Sequence, residues 1–109
     1  MTVLLLLMSL MSCVTAEKAR RSDTRTDLGT AYLKEGNAPG AVEALRTAAA
    51  LNPQNATAWE RLGLAYMASN AHELAEDAFQ RSMKLGTTDD PARVIYNYGL
   101  LLLKMERYD

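Results

Sequence analysis

Asn55 to Leu85 reads NATAWERLGLAYMASNAHELAEDAFQRSMKL. Apolar and small residues fall at Trp59, Leu62, Gly63, Ala65 and Tyr66, then at Ala75, Ala78, Phe79 and Met83. The gaps are mostly three or four, which lines up one face of an α-helix in each of two blocks. Ser69-Asn70-Ala71 separates the blocks. Asn tolerates the left-handed backbone that ends one helix and turns the chain back. The stretch predicts two antiparallel helices of about four turns each.

The same pattern occurs 34 residues earlier, where Leu28, Gly29, Tyr32, Ala41, Leu45 and Ala48 precede Leu62, Gly63, Tyr66, Ala75, Phe79 and Ser82. Arg25 stands where Trp59 stands. The residues Trp59-x2-Leu62-Gly63-x2-Tyr66…Ala75-x3-Phe79, in a helical hairpin of this period, resemble the tetratricopeptide repeat motif almost in full. The first copy keeps Leu28, Gly29, Tyr32, Ala41 and a closing Pro53. The resemblance implies an all-α fold of helical hairpins stacked as a short right-handed superhelix, with five helices in two and a half repeats. The repeats occupy 22–55, 56–89 and, in part, 92–109.

A chain of 109 residues allows one domain. The formal net charge of −1 calls for neither nucleic acid nor an acidic surface as partner. Aromatics are few, as expected for packed helices rich in Ala and Leu.

At the front, Met1 to Ser12 has no charged side chain, and Val3 to Met8 is an apolar run. As a helix the run reaches about 16 Å against roughly 30 Å of hydrocarbon, which predicts the core of a secretion signal over 1–12 rather than a membrane span. Leu10-Met11-Ser12-Cys13 is similar to the bacterial lipobox, with a branched apolar residue, a small residue before the cut, and Cys. The resemblance implies that the Cys13 thiol takes a diacylglycerol and that 13–21 is a lipidated tether. Met11 is larger than usual for that motif, and no basic residue precedes the apolar run. Several acyl chains anchor stably where one alone is marginal. By the same resemblance, Val14 after the Cys directs the protein to the periplasmic face of the outer membrane. A lone Cys forms no internal disulfide.

Further along, helix one is expected from about Asp23 to Glu35, stopped by Gly36. Asn37 caps helix two, Pro39 falls in its first turn, and Asn52-Pro53 ends it after Leu51. Asn55 caps helix three, Ala56 to about Ser69, and helix four runs from about His72 to Leu85 before Gly86. Asp90 and Pro91 start helix five cleanly after a connection two residues longer than before. Ile95, Tyr98, Gly99 and Leu102 take the third copy's Trp, Leu, Gly and Tyr places. Lys104 to Asp109 predicts a turn into a sixth helix, with Glu106 where Gly36 and Asn70 stood. Helix five is apolar nearly all round at Leu100 to Leu103, whereas a terminal repeat should be polar outside. The sequence is therefore expected to be part of a longer protein.

No catalytic constellation is present, and the chain is expected to be a non-enzyme without metal or cofactor. His72 is the single histidine, so no His-based metal cluster or triad forms. Glu73, Glu76 and Asp77 read as a solvated face at the positive end of a helix. Asp89-Asp90 reads as a cap, and Met67, Met83 and Met105 as core or groove filling.

In tetratricopeptide repeats the first helix of each hairpin lines the concave face, through positions two, five, nine, twelve and thirteen. The resemblance assigns these to Asp23, Thr26, Thr30, Leu33 and Lys34, then Thr57, Glu60, Leu64, Met67 and Ala68, then Arg93, Tyr96, Leu100, Leu103 and Lys104. Thr26, Thr30, Glu60 and Leu64 do not supply the Lys and Asn of the clamp for acidic chaperone tails. Leu33, Leu64, Met67, Tyr96, Leu100 and Leu103 instead predict an apolar groove for a partner helix or extended segment. The signal, Cys13-Val14-Thr15, a brief tether, Tyr96-Asn97-Tyr98-Gly99 and closing Arg107-Tyr108-Asp109 resemble the type IV pilus biogenesis lipoproteins. These pilotins help the secretin pore assemble in the outer membrane, which implies a secretin subunit as client. The alternatives are a periplasmic or cytosolic tetratricopeptide module with another client, and a catalytic domain beyond Asp109.

Overall fold

The computed structural model describes residues 1–108 and arranges them in five helices: α1 Thr2–Lys34, α2 Ala38–Leu51, α3 Ala56–Ala68, α4 His72–Leu85 and α5 Pro91–Tyr108. α1 pairs with α2 and α3 with α4 as helical hairpins. α2 packs on α3, and α5 lies against α4 and, more lightly, α3. There is no strand among the described residues.

The breaks fall where backbone chemistry puts them. Gly36 (φ +75°), Asn70 (φ 59°) and Gly86 (φ +68°) take the left-handed conformation that ends α1, α3 and α4. Asn37 caps α2 by accepting from the Gly40 N–H, and Asn55 caps α3 by accepting from the Ala58 N–H. Asp90 accepts from the Arg93 N–H at 3.1 Å, with Pro91 opening α5. The first residue of α4 follows Ala71, which offers no side-chain cap.

The core is built from small residues with a few large ones inserted. Ala41, Leu45, Leu62, Ala65 and Ala78 form one buried cluster. Ala75, Phe79, Val94 and Leu101 form the next. Gly29 and Gly63 are the points of closest approach. A Cβ on Gly29 would lie 2.3 Å from Leu45 Cγ, and one on Gly63 would lie 2.7 Å from the Phe79 ring. The recurring Leu-Gly pair thus admits one large side chain from the second helix of each hairpin.

Polar groups stitch the hairpins from inside. The Ser22 hydroxyl donates to the Ala48 carbonyl at 2.8 Å, and the Ser82 hydroxyl donates to the Ala56 carbonyl at 2.8 Å, all buried. The Asn55 amide, besides its capping role, donates to Ser22 Oγ at 3.0 Å and reaches Asp23 and Thr26 on α1. Buried polar groups of this kind must be paired, because an orphan costs about 1–3 kcal/mol.

Three expectations are corrected. First, α1 begins at Thr2 rather than near Asp23, so the stretch read as a tether is helical. Residues 2–28 contain neither Gly nor Pro, and nothing in them stops a helix. Second, counting only the apolar run underestimated it. α1 holds an 18-residue window of mean hydropathy 1.5, long and apolar enough to cross a membrane, a test that a signal sequence near the N-terminus also passes. Third, there is no turn at Glu106. α5 continues to Tyr108, because Glu lacks the left-handed tolerance of Gly36 and Asn70. Asp109, the last residue of the expected turn, lies outside the described residues.

Candidate functional site

α3 and α5 run in the same direction. Glu60 meets Arg93 near their N-terminal ends, and Met67 meets Leu100 and Leu103 near their C-terminal ends. Between the C-terminal ends lies an open hollow of about 700 Å³ lined by Met67, Leu100, Leu103, Lys104 and Glu106. Its floor is apolar and its mouth carries one charge of each sign. Tyr96 and Leu103 are 67% and 61% exposed, so a large apolar surface faces water here.

The expected groove residues separate into two groups. Met67, Leu100 and Leu103 are brought together at the hollow, and Tyr96 lies on the same face of α5 one turn before Leu100. Leu64 and Leu33 are half-buried, Leu64 against the Phe79–Leu101 cluster and Leu33 against the Ala41–Leu45 cluster. Thr26 is buried: its hydroxyl donates to the Ser22 carbonyl at 2.8 Å and accepts from Asn55. The Thr30 hydroxyl donates to the Thr26 carbonyl at 2.8 Å. Glu60 is fully buried in ion pairs. Thr26, Thr30 and Glu60 thus place their polar groups within the fold, and the hollow is an α3–α5 feature.

Glu60 is the centre of the strongest electrostatic feature. Arg93 holds its carboxylate in a two-pronged contact, Nε to Oε1 at 2.6 Å and Nη2 to Oε2 at 3.1 Å. Arg61 Nη1 adds a contact to Oε1 at 3.2 Å. Arg93 also pairs with Asp89 at 2.8 Å. The hydrogen bond to Glu60 is the main reason that the Arg93 guanidinium titrates well above its ordinary range, outweighing partial burial, with help from the charges of Glu60 and Asp89. A parallel fork of this type is the strong form of a carboxylate–guanidinium pair. Two cations, Arg93 from α5 and Arg61 from α3, share the one buried carboxylate, so the clasp ties the start of α5 to α3.

Reading both residues as groove positions missed this clasp. The signal was available: Glu60 sits at the fifth position of one repeat and Arg93 at the second position of the next, adjacent places in stacked first helices.

Elsewhere, of the three acidic residues read as a solvated face, Glu73 and Asp77 are exposed, and Glu76 and Asp77 also take partners. Glu76 accepts from the Tyr98 hydroxyl at 3.2 Å, and Asp77 accepts from Arg81 at 2.8 Å. Arg81 in turn lies 4.9 Å from the centre of the Trp59 ring. Met83 and Met105 pack on the Phe79–Leu101 cluster, as expected. His72 is half-buried at the start of α4. Among the described residues there is no group of His, Cys, Asp and Glu able to hold a metal ion. Cys13 is exposed on α1 with a free thiol.

A family profile described as tetratricopeptide repeat matches residues 26–90, more than half of the chain. The match ends at the cap of α5, so Tyr96, Leu100 and Leu103 lie beyond it. No curated protein matches the chain.

Proposed function

The chain belongs to the tetratricopeptide repeat family, and from that premise we propose that it is a non-catalytic scaffold holding a segment of another protein in the hollow between α3 and α5. Such repeats generally act as protein-interaction modules. The observation that carries the reading is the hollow itself, whose Met67, Leu100 and Leu103 present apolar surface to water beside a mouth of Lys104 and Glu106. An amphipathic helix or an extended apolar segment matches that surface.

The finer proposal is an outer-membrane lipoprotein of the pilotin kind, with a type IV pilus secretin subunit as client. What supports it is the lipobox-like Leu10-Met11-Ser12-Cys13, the apolar helical start and the exposed thiol of Cys13. Lipid on Cys13 fixes the scaffold to the periplasmic face, and the hollow takes the client. The alternative is a periplasmic or cytosolic module with a different client. It is favoured by the unbroken helix across Cys13, which a peptidase must unwind before cutting.

Mass spectrometry of the protein from bacterial membranes tests the anchor: a mature chain beginning at Cys13 with acyl mass is expected, and none from Cys13→Ala. A secretin pull-down tests the client. Leu100→Glu is expected to abolish capture with lipidation intact, and normal secretin assembly in that variant rejects the pilotin reading. Leu100 is the better choice than Leu64, because Leu64 also supports the core.

A further inference from the structure

Residues 1–16 carry no charged side chain, and the first cations follow at once as Lys18, Arg20 and Arg21. Both groups stand on α1 ahead of Ser22, the first residue that the helix buries. Val3 to Met8 is apolar at every position, each more than half exposed. Successive residues of a helix turn by about 100°, so this run has no polar side. A groove on a partner protein covers one face of a helix and would leave the other face of this one bare. Hydrocarbon covers it all round.

The cations are disposed in the same way. Lys18 and Arg20 lie about 200° apart around the axis, with Arg21 between them on the shorter arc. Along the axis the three span only about 4.5 Å, which fits within a headgroup layer roughly 5–7 Å deep. A plane that cuts across α1 meets all three at once, whereas a surface lying along the helix meets two at most. None of them makes an ion pair with a described residue, in contrast to Arg61, Arg81 and Arg93, so the fold does not use their charge. The helix is unbroken from these residues to Ser22, Thr26 and Gly29, which it buries against the rest of the fold.

We propose that Lys18, Arg20 and Arg21 form a collar that binds the anionic phospholipid headgroups of a membrane, and that α1 carries collar and repeats as one rod. This rests on the reading above that the start of α1 lies at a membrane. Either anchor sets the same depth. The collar stands about 8–12 Å along the helix past Cys13, whether acyl chains on Cys13 or the apolar run itself enters the hydrocarbon. Glu17 sits beside the collar and offsets part of its charge. Because Ser22 is buried immediately after Arg21, the repeats are held against the membrane surface rather than hung from a flexible leash.

The test is flotation of the full chain, made by cell-free synthesis in the presence of vesicles of phosphatidylcholine alone or with phosphatidylglycerol added. The readout is the lipid concentration that floats half of the protein. A basic residue near an anionic surface strengthens binding about fivefold, so with Glu17 opposing, phosphatidylglycerol should lower that concentration roughly tenfold or more. Added salt should shrink the difference. The combined variant Lys18→Gln, Arg20→Gln and Arg21→Gln should cut it to about twofold. Circular dichroism should show that variant to be as helical as the parent, because the three positions are exposed and Gln is a good helix former. The pair Arg46→Gln and Lys84→Gln removes two exposed cations elsewhere and should keep the full difference. Equal flotation with both vesicles overturns the collar and leaves the membrane anchor standing. An equal loss in the Arg46 and Lys84 pair also overturns it, because net charge alone is then at work. No flotation with either vesicle overturns collar and anchor together.

Discussion

Gly29, Gly63 and Gly99 each stand in the middle of a helix, and their surroundings decide what a methyl group does there. At Gly29 and Gly63 a Cβ meets Leu45 and Phe79 at under 3 Å. Overpacking of this kind typically costs about 1–3 kcal/mol. Gly29→Ala and Gly63→Ala are expected to lower the urea midpoint accordingly. Gly99→Ala meets nothing, so the helix preference for Ala over Gly prevails and stability rises by about 0.5–1 kcal/mol. A loss of stability at Gly99 would contradict the open face. The Glu60–Arg93 fork is similarly asymmetric. Removing Glu60 leaves Arg93, 32% exposed, with Asp89 and water. Removing Arg93 leaves a fully buried carboxylate with Arg61 alone, so Arg93→Ala should cost more than Glu60→Ala, roughly 2–3 kcal/mol in thermal or urea unfolding. The sign with pH follows from the raised Arg93 value. Stability from a raised basic group is fully present below its unfolded pKa and lost only as pH climbs through the folded one. Both lie far on the alkaline side of neutrality, so the contribution of Arg93 protonation should stay constant from roughly pH 6 to 9. The Leu-Gly-x2-Tyr pattern was legible in the sequence because steric fit repeats with the period. The clasp was legible only by comparing positions across consecutive repeats, because each partner alone resembles a surface charge.

At the level of elements, α1 and α5 are the unequal ones. The first buried side chain of α1 is Ser22, and Met1 to Lys18 is exposed throughout. A helix of that length without tertiary support is marginal in water. Amide hydrogens of residues 5–18 should exchange almost unprotected in buffer and become protected in micelles. Equal protection in both would show that some other surface covers the segment. α5 is held by Val94, Leu101, Met105 and the clasp, a thinner contact than the hairpin partners α3 and α4 share. It should open before α3 in native-state exchange, and Arg93→Ala should widen the gap. The caps and stops of α2, α3 and α4 were readable within a residue or so, because Asn, Gly and Pro act locally. The start of α1 was not. Nothing in residues 2–28 signals a boundary, and the expectation of a tether came from the lipobox resemblance rather than from any helix breaker.

Over the whole molecule, the chain spans 61 × 26 × 21 Å, its long dimension set by α1. The hollow, the clasp and the open side of Gly99 all involve α5. The predicted groove was wider, reaching back to Thr26 and Thr30. Repeat position alone could not tell that the Thr26 hydroxyl would be drawn into bonds with Ser22 and Asn55, and the Thr30 hydroxyl into one with the Thr26 carbonyl. The two buried serines carry a consequence for anyone rebuilding the protein from its own repeats. Ser22 corresponds to Ala56, and Ala48 to Ser82, so the donor sits on the first helix of one hairpin and on the second helix of the next. What the copies share is the bridge, not the residue that makes it. An averaged unit with Ser at both places would hold two hydroxyls where one suffices, and one with Ala at both would lose the bridge between the helices, leaving the Ala48 carbonyl the Asn52 N–H alone. An array designed from these copies has to inherit each hairpin as a matched pair.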